Sequence, residues 1–226
     1  MEPVDILQFL LRYVHFVAGI TWIGILYFFN LVNVNFMKTL DGPTKGKVIP
    51  NLMPAALWYF RWGAVFTVLS GLIYFAWIVT QEPDSSHLSL VIWLGITLVF
   101  WAIMYALIEV AKVNNGNILA AVFVVLVVLL GVLVVNYAGF RSSKSISIGI
   151  GGGIGLWMFL NVWGIIWRHQ KRIIAWTAAN ASGGAAIPPE SAQLGRRAFL
   201  ASRTNAWLSL VMLFFMGTAS HLALFG

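Results

Sequence analysis

Apolar residues run along this chain in six long blocks separated by short polar stretches. The blocks lie at about Ile6–Val34, Pro54–Val79, Leu88–Val110, Ile118–Tyr137, Ile146–Trp167 and Asn205–Phe225. Each is long enough to cross a bilayer core as a helix, which takes roughly 20 apolar residues. Six crossings use most of the 226 residues. The pattern therefore predicts an all-α integral membrane bundle, a single transmembrane domain over residues 1–226. The first block follows Glu2 and Asp5 rather than basic residues and ends without a small-residue cleavage pattern. It is expected to be a span and not a signal peptide.

The polar breaks are expected to be connections. "KTLDGPTKGKVIPNLMP" (Lys38–Pro54) reads as a polar loop, "QEPDSSH" (Gln81–His87) as a short acidic one, and "KVNNG" and "GFRSSKS" as tight turns. The longest break covers about residues 168–203. Its first part, "RHQKRIIAWTAAN", has apolar residues at helical spacing and predicts an extension of the fifth span along the membrane surface. "SGGAAIPPES" then reads as a flexible linker. The fourth span, "ILAAVFVVLVVLLGVLVV", reads as a lipid-facing structural helix. In the fifth, "GIGGGIG" (Gly149–Gly155) holds overlapping G-x-x-x-G pairs, which suit close helix packing or room for a flat macrocycle.

Composition and charge sharpen this picture. Hydrophobic residues make up 60% of the chain and charged residues 9%, far below the roughly 25% of soluble domains. Of the fourteen Lys and Arg, all but Arg12, Arg141 and Lys144 fall on one side of a six-span chain. The positive-inside rule makes that side the inner one and puts both termini outside. The net charge of +7 is then mostly an orientation signal, and no nucleic-acid role is implied. Cysteine is absent, which excludes disulfides, thiolate metal sites, iron–sulfur ligation and covalent c-type haem attachment.

Candidate chemistry rests on histidine. His87, in the outer loop, and His169, in the basic "RHQKR" cluster, are expected to be solvated or interfacial. His15 and His221 fall inside apolar blocks, where ionisable side chains are costly and point to function. At a rise of 1.5 Å per residue, His15 is roughly 13 Å and His221 roughly 6–9 Å from the outer side. Two antiparallel helices could thus present both rings to one ligand. Gly19 and Trp22 share the His15 face, Arg12 lies one turn outward, and Gly217 sits one turn before His221. Small and aromatic neighbours suit a plate-shaped group, and histidine is an ordinary axial ligand of haem iron. One bis-His haem b is expected, with His15 and His221 as ligands, Arg12 as propionate partner, and Trp22 and Gly217 in the pocket. Glu109, the one acidic residue near the core of a span, is expected to pair with Lys112 at i+3.

"RYVHFVAGITWIGILYF" (Arg12–Phe28) resembles the first helix of the membrane domain of bacterial urate oxidases, with its R-x-x-H-x-x-A-G-x-x-W-I-G run. "GRRAFLASRTNAWLSLVMLFFMGTASH" resembles the closing region of the same family. The family's S-R-H-N stretch reads Ser202-Arg203-Thr204-Asn205 here. More loosely, the first motif is similar to copper-resistance D proteins and haem-binding protoporphyrinogen oxidases. The resemblance implies a multi-pass protein of the bacterial inner membrane, with His15 and His221 at haem-holding positions. It also implies cytochrome c, or other redox subunits of a membrane complex, as partner. Three readings stay open. The leading expectation is a b-type cytochrome carrying electrons between redox partners. The alternatives are a urate-oxidase-like enzyme passing electrons to cytochrome c, and a cofactor-free structural or transport subunit.

Overall fold

The computed structural model describes residues 2–83 and 87–225. Six helical runs have membrane-crossing length and apolarity: Pro3–Thr39, Gly42–Thr80, His87–Val110, Gly116–Tyr137, Ser143–Ala181 and Glu190–Thr218. Within them we label the α-helices α1 (Pro3–Tyr27), α2 (Val34–Thr39), α3 (Gly42–Thr80), α4 (His87–Tyr105), α5 (Gly116–Tyr137), α6 (Ser143–Asn161), α7 (Arg168–Ala181) and α8 (Glu190–Thr218). No strand occurs among the described residues. The six-span bundle expected from the hydrophobic blocks is the fold.

The boundaries differ where short-range chemistry outweighs composition. Most of Lys38–Pro54 is helix, not loop. Asp41 caps α3 by accepting from the Thr44 N–H at 2.8 Å, and Pro43 sits in the first turn, where its missing N–H costs nothing. Pro50 and Pro54 lie inside α3, and each removes one backbone donor. Packing of this segment against α7 keeps it helical: a Cβ at Gly46 would lie 3.3 Å from that of Ala181. The fifth span continues through α7 as its spacing predicts. The last span stops at Thr218 and not Phe225. The acidic connection Gln81–His87 falls partly outside the described residues.

Three spans carry a π-helical turn in the half away from the chain termini: Phe28–Asn33, Ala106–Val110 and Val162–Trp167. Such turns shift the register of the side chains that follow and recur at functional sites.

Small residues set how closely the helices approach. On α3, Gly63, Thr67 and Gly71 form one stripe against α1. A Cβ at Gly63 would lie 3.2 Å from the Trp22 backbone nitrogen and 3.3 Å from the Ala18 oxygen. On α6, Gly151 faces the Met212 carbonyl and Phe215 of α8, Gly149 faces Phe140, and Gly153 faces Leu130 and Thr97. The glycine run is occupied by helix packing. Helix α5 buries Leu119, Phe123, Leu126, Leu130 and Val134 and leaves Val124, Val125 and Val128 exposed. That is the division a lipid-facing helix requires.

Candidate functional site

His15 sits on the inward face of α1, half-buried against α3. Its Nδ1 lies 2.8 Å from the Thr67 carbonyl oxygen. A carbonyl only accepts, so Nδ1 donates, and the neutral ring keeps its lone pair on Nε2. Gly71 provides the space: a Cβ there would lie 2.7 Å from His15 Cε1 and 2.8 Å from Nδ1. A ring fixed through one nitrogen, with the other uncommitted, is the arrangement of a metal-ligating histidine. His15 thus fits the role of an axial ligand.

The remaining expected site residues are dispersed. Arg12 is exposed, without a hydrogen bond or ion pair among the described residues. Trp22 is 1% exposed, and its Nε1 has no partner among the described residues. Gly217 is exposed, and a Cβ there would meet nothing within 4 Å, so it opens no notch. His221 lies past the end of α8 and is exposed, with its backbone N–H bonded to the Thr218 carbonyl at 3.0 Å. Its ring makes no hydrogen bond among the described residues, and no described contact brings it to His15. The outer ends of α1 and α3, with His87, line an apolar groove of about 270 Å³ one turn outward of His15, reaching Leu11. Among the described residues, no three His, Cys, Asp or Glu side chains gather as a metal-binding group.

A second set of polar groups lies in the inner half of the bundle. Asn30 Nδ2 donates to Ser202 Oγ at 2.9 Å and to the Leu26 carbonyl at 2.9 Å, joining α1 to α8. Tyr27 and Ser209 hydroxyls are 2.9 Å apart on the same pair of spans. Asn161 Nδ2 donates to Asn205 Oδ1 at 2.9 Å, Asn205 Nδ2 to the Met158 carbonyl at 2.9 Å, and Trp101 Nε1 to Asn161 Oδ1 at 3.2 Å. Thr204 is buried beside this chain. Several capacities stay unused: Asn30 Oδ1, Asn33 Oδ1 and Trp163 Nε1 are buried without partners among the described residues. Arg61 stacks on Trp167, its guanidinium carbon 3.5 Å from the ring centroid.

Two expectations about the inner side are corrected. His169 is not solvated; it is 2% exposed, with Nε2 2.7 Å from Glu109 Oε1. Glu109 does not pair with Lys112. It takes His169, Arg168 and, at 3.7 Å, Arg197. The cause is local. Glu109 lies in a π-helical turn, and the chain leaves the helix at Lys112, whose φ is +54°. The i+3 geometry of a regular helix is lost there.

The fold and its buried groups define a polytopic helical membrane protein with an ordered polar core in its inner half. The family model described as urate oxidase N-terminal matches residues 42–226, and the chain belongs to that family. The match runs from α3 to the last residue, so it covers Ser202–Asn205 and His221; α1 with His15 precedes it. No curated protein and no solved structure matches the chain.

Proposed function

We propose that the chain is a membrane oxidoreductase of the urate-oxidase type. It withdraws electrons from a purine-class substrate and passes them to a c-type cytochrome or another redox subunit at the bacterial inner membrane. The observation that carries this is the family match over residues 42–226. The inner polar core favours the enzyme over a b-type cytochrome without a substrate. A substrate-free electron carrier needs a haem pocket alone and has no use for the unpaired amide and indole groups of Asn30, Asn33 and Trp163.

The cofactor of this proposal is haem b, which supplies one-electron chemistry when bound. His15 would hold it through Nε2, and the Thr67 carbonyl keeps Nδ1 protonated and the ring oriented. The exposed His221, past the end of α8, and the exposed Arg12 are not gathered about His15, so neither a second ligand nor a propionate partner is assigned. Trp22 lies two turns inward of His15 on the same helix and is buried.

The test is a reduced-minus-oxidised spectrum with a pyridine haemochrome assay, together with urate-dependent reduction of cytochrome c by the purified chain. The expected results are a b-type band that His15→Ala abolishes, and turnover that requires urate. Unchanged haem content in His15→Ala would overturn the ligand. A haem-bearing chain that reduces no cytochrome c with urate would overturn the activity.

A further inference from the structure

On the inner side, the end of the first span and the first half of α8 enclose a cleft of about 570 Å³, lined by Asn35, Lys38, Arg196, Phe199 and Arg203 among others. Three of the lining residues are cationic and none is acidic. Two guanidinium groups share one ring: the carbon of Arg203 lies 5.4 Å and that of Arg196 5.7 Å from the Phe199 centroid. Arg196 is anchored there by Asn114, donating from Nε at 2.7 Å and from Nη2 at 2.9 Å. Arg203 and Lys38 make no hydrogen bond or ion pair among the described residues. The acidic side chains at this end of the bundle are engaged elsewhere. Asp41 caps α3, Glu190 takes Arg172, and Glu109 takes His169, Arg168 and Arg197. Like charges are thus held together with no protein carboxylate to neutralise them, which favours an anion from outside the chain.

The same two spans turn apolar as they run deeper. Leu31 lies one turn toward the midplane from Asn35, and Trp207 and Leu210 lie one and two turns toward it from Arg203. All three are exposed. We infer that the cleft binds an anionic phospholipid of the inner leaflet. Its phosphate sits among Arg203, Arg196 and Lys38, and its acyl chains run outward over Leu31, Trp207 and Leu210. Basic pockets between spans recognise lipid headgroups in this way, and a guanidinium binds phosphate oxygens through paired N–H donors. Trp207 lies where an indole bridges headgroup and acyl chain. A free phosphate would use the cations and leave the apolar column uncovered. A zwitterionic headgroup would bring a further cation into a cleft that already has three. The inference goes beyond the proposed function and requires neither haem nor a purine.

The experiment is equilibrium binding of radiolabelled phosphatidylglycerol to the purified full chain in detergent micelles, with unlabelled phosphatidylglycerol, phosphatidylcholine and inorganic phosphate as competitors. Each cation beside an anionic headgroup contributes about fivefold. Phosphatidylglycerol is therefore expected to compete about tenfold better than phosphatidylcholine, or more. Arg203→Gln and Lys38→Gln are each expected to weaken binding about fivefold, and Trp207→Ala to weaken it severalfold through lost acyl contact. Arg172→Gln, on α7 and paired with Glu190, is expected to leave it unchanged. Lys38 is exposed and Arg203 partly so, so both cleft variants should keep the wild-type melting temperature. Unaltered affinity in both cleft variants overturns the inference, as does equal competition by phosphatidylcholine. An equal loss in Arg172→Gln would reduce the site to general surface attraction and overturn it too. Displacement by inorganic phosphate at the lipid's own concentration, with Trp207→Ala silent, overturns it in favour of a soluble anion site.

Discussion

His169 and Glu109 face each other across 2.7 Å, with side chains 3% and 5% exposed. They join the fifth span to the third at the inner side, and Arg168 and Arg197 share the same carboxylate. Removing the carboxylate leaves the buried His169 and the largely buried Arg197 without their partner, while Arg168 stays open to water; breaking a buried pair costs about 3–5 kcal/mol. Glu109→Ala is therefore expected to lower stability by about 3 kcal/mol, measured by reversible unfolding in mixed detergent micelles. Lys112→Ala should stay within about 0.5 kcal/mol of wild type. A Lys112 variant as unstable as the Glu109 variant would restore the i+3 pair.

The Asn161–Asn205 hydrogen bond is the central link between α6 and α8. Interhelical hydrogen bonds in membrane proteins couple by about 0.6 kcal/mol on average and up to about 1.7. This one is fully buried and continues through Trp101 and the Met158 carbonyl, so a value near the upper end is expected. A double-mutant cycle with Asn161→Ala and Asn205→Ala measures it. Additive single effects would show that the two amides act independently.

Gly71 and Gly217 separate two ways of supporting the proposed haem. An alanine at 71 drives its methyl into the His15 ring, whereas at 217 nothing lies within 4 Å. Gly71→Ala is expected to lower haem retention severalfold and Gly217→Ala to leave it unchanged. Haemochrome content per chain distinguishes the two. The reverse order would move the haem to the end of α8.

The start of α3 should respond to pH. The Thr44 hydroxyl and backbone N–H hold the Asp41 carboxyl below its ordinary value. A depressed folded value means that the cap stabilises α3 fully above the unfolded value of about 3.9. Its contribution is lost as pH falls through the folded value. The protection of the Thr44 and Lys45 amides, taken relative to unstructured amides at the same pH, is expected to fall on acidification in wild type and to be low at all pH in Asp41→Ala. A flat profile in wild type would remove the cap from the account.

Hydrophobic block length alone determined the six crossings, because a bilayer core demands a fixed span of apolar residues whatever the packing. The Lys and Arg distribution gives an expected orientation from sequence alone, since the positive-inside rule acts on each connection separately. His15 also stood out, because an ionisable ring in an apolar block is conspicuous in one dimension. What the histidine touches was not. The Thr67 carbonyl and Gly71 lie more than fifty residues away, and backbone acceptors carry no sequence signature. The same holds for His169 and Glu109, separated by sixty positions and joined only after two π-helical turns shifted the helical register. Asn30, Asn33 and Asn35 were visible as polar residues near an inner boundary. Their separate fates depended on which face met α8: Asn30 bonded to Ser202, Asn33 buried beside three cations, Asn35 exposed. Periodicity reports how much of each helix is buried. Partner choice among buried polar groups depends on helix rotation and depth, which only the assembled bundle decides.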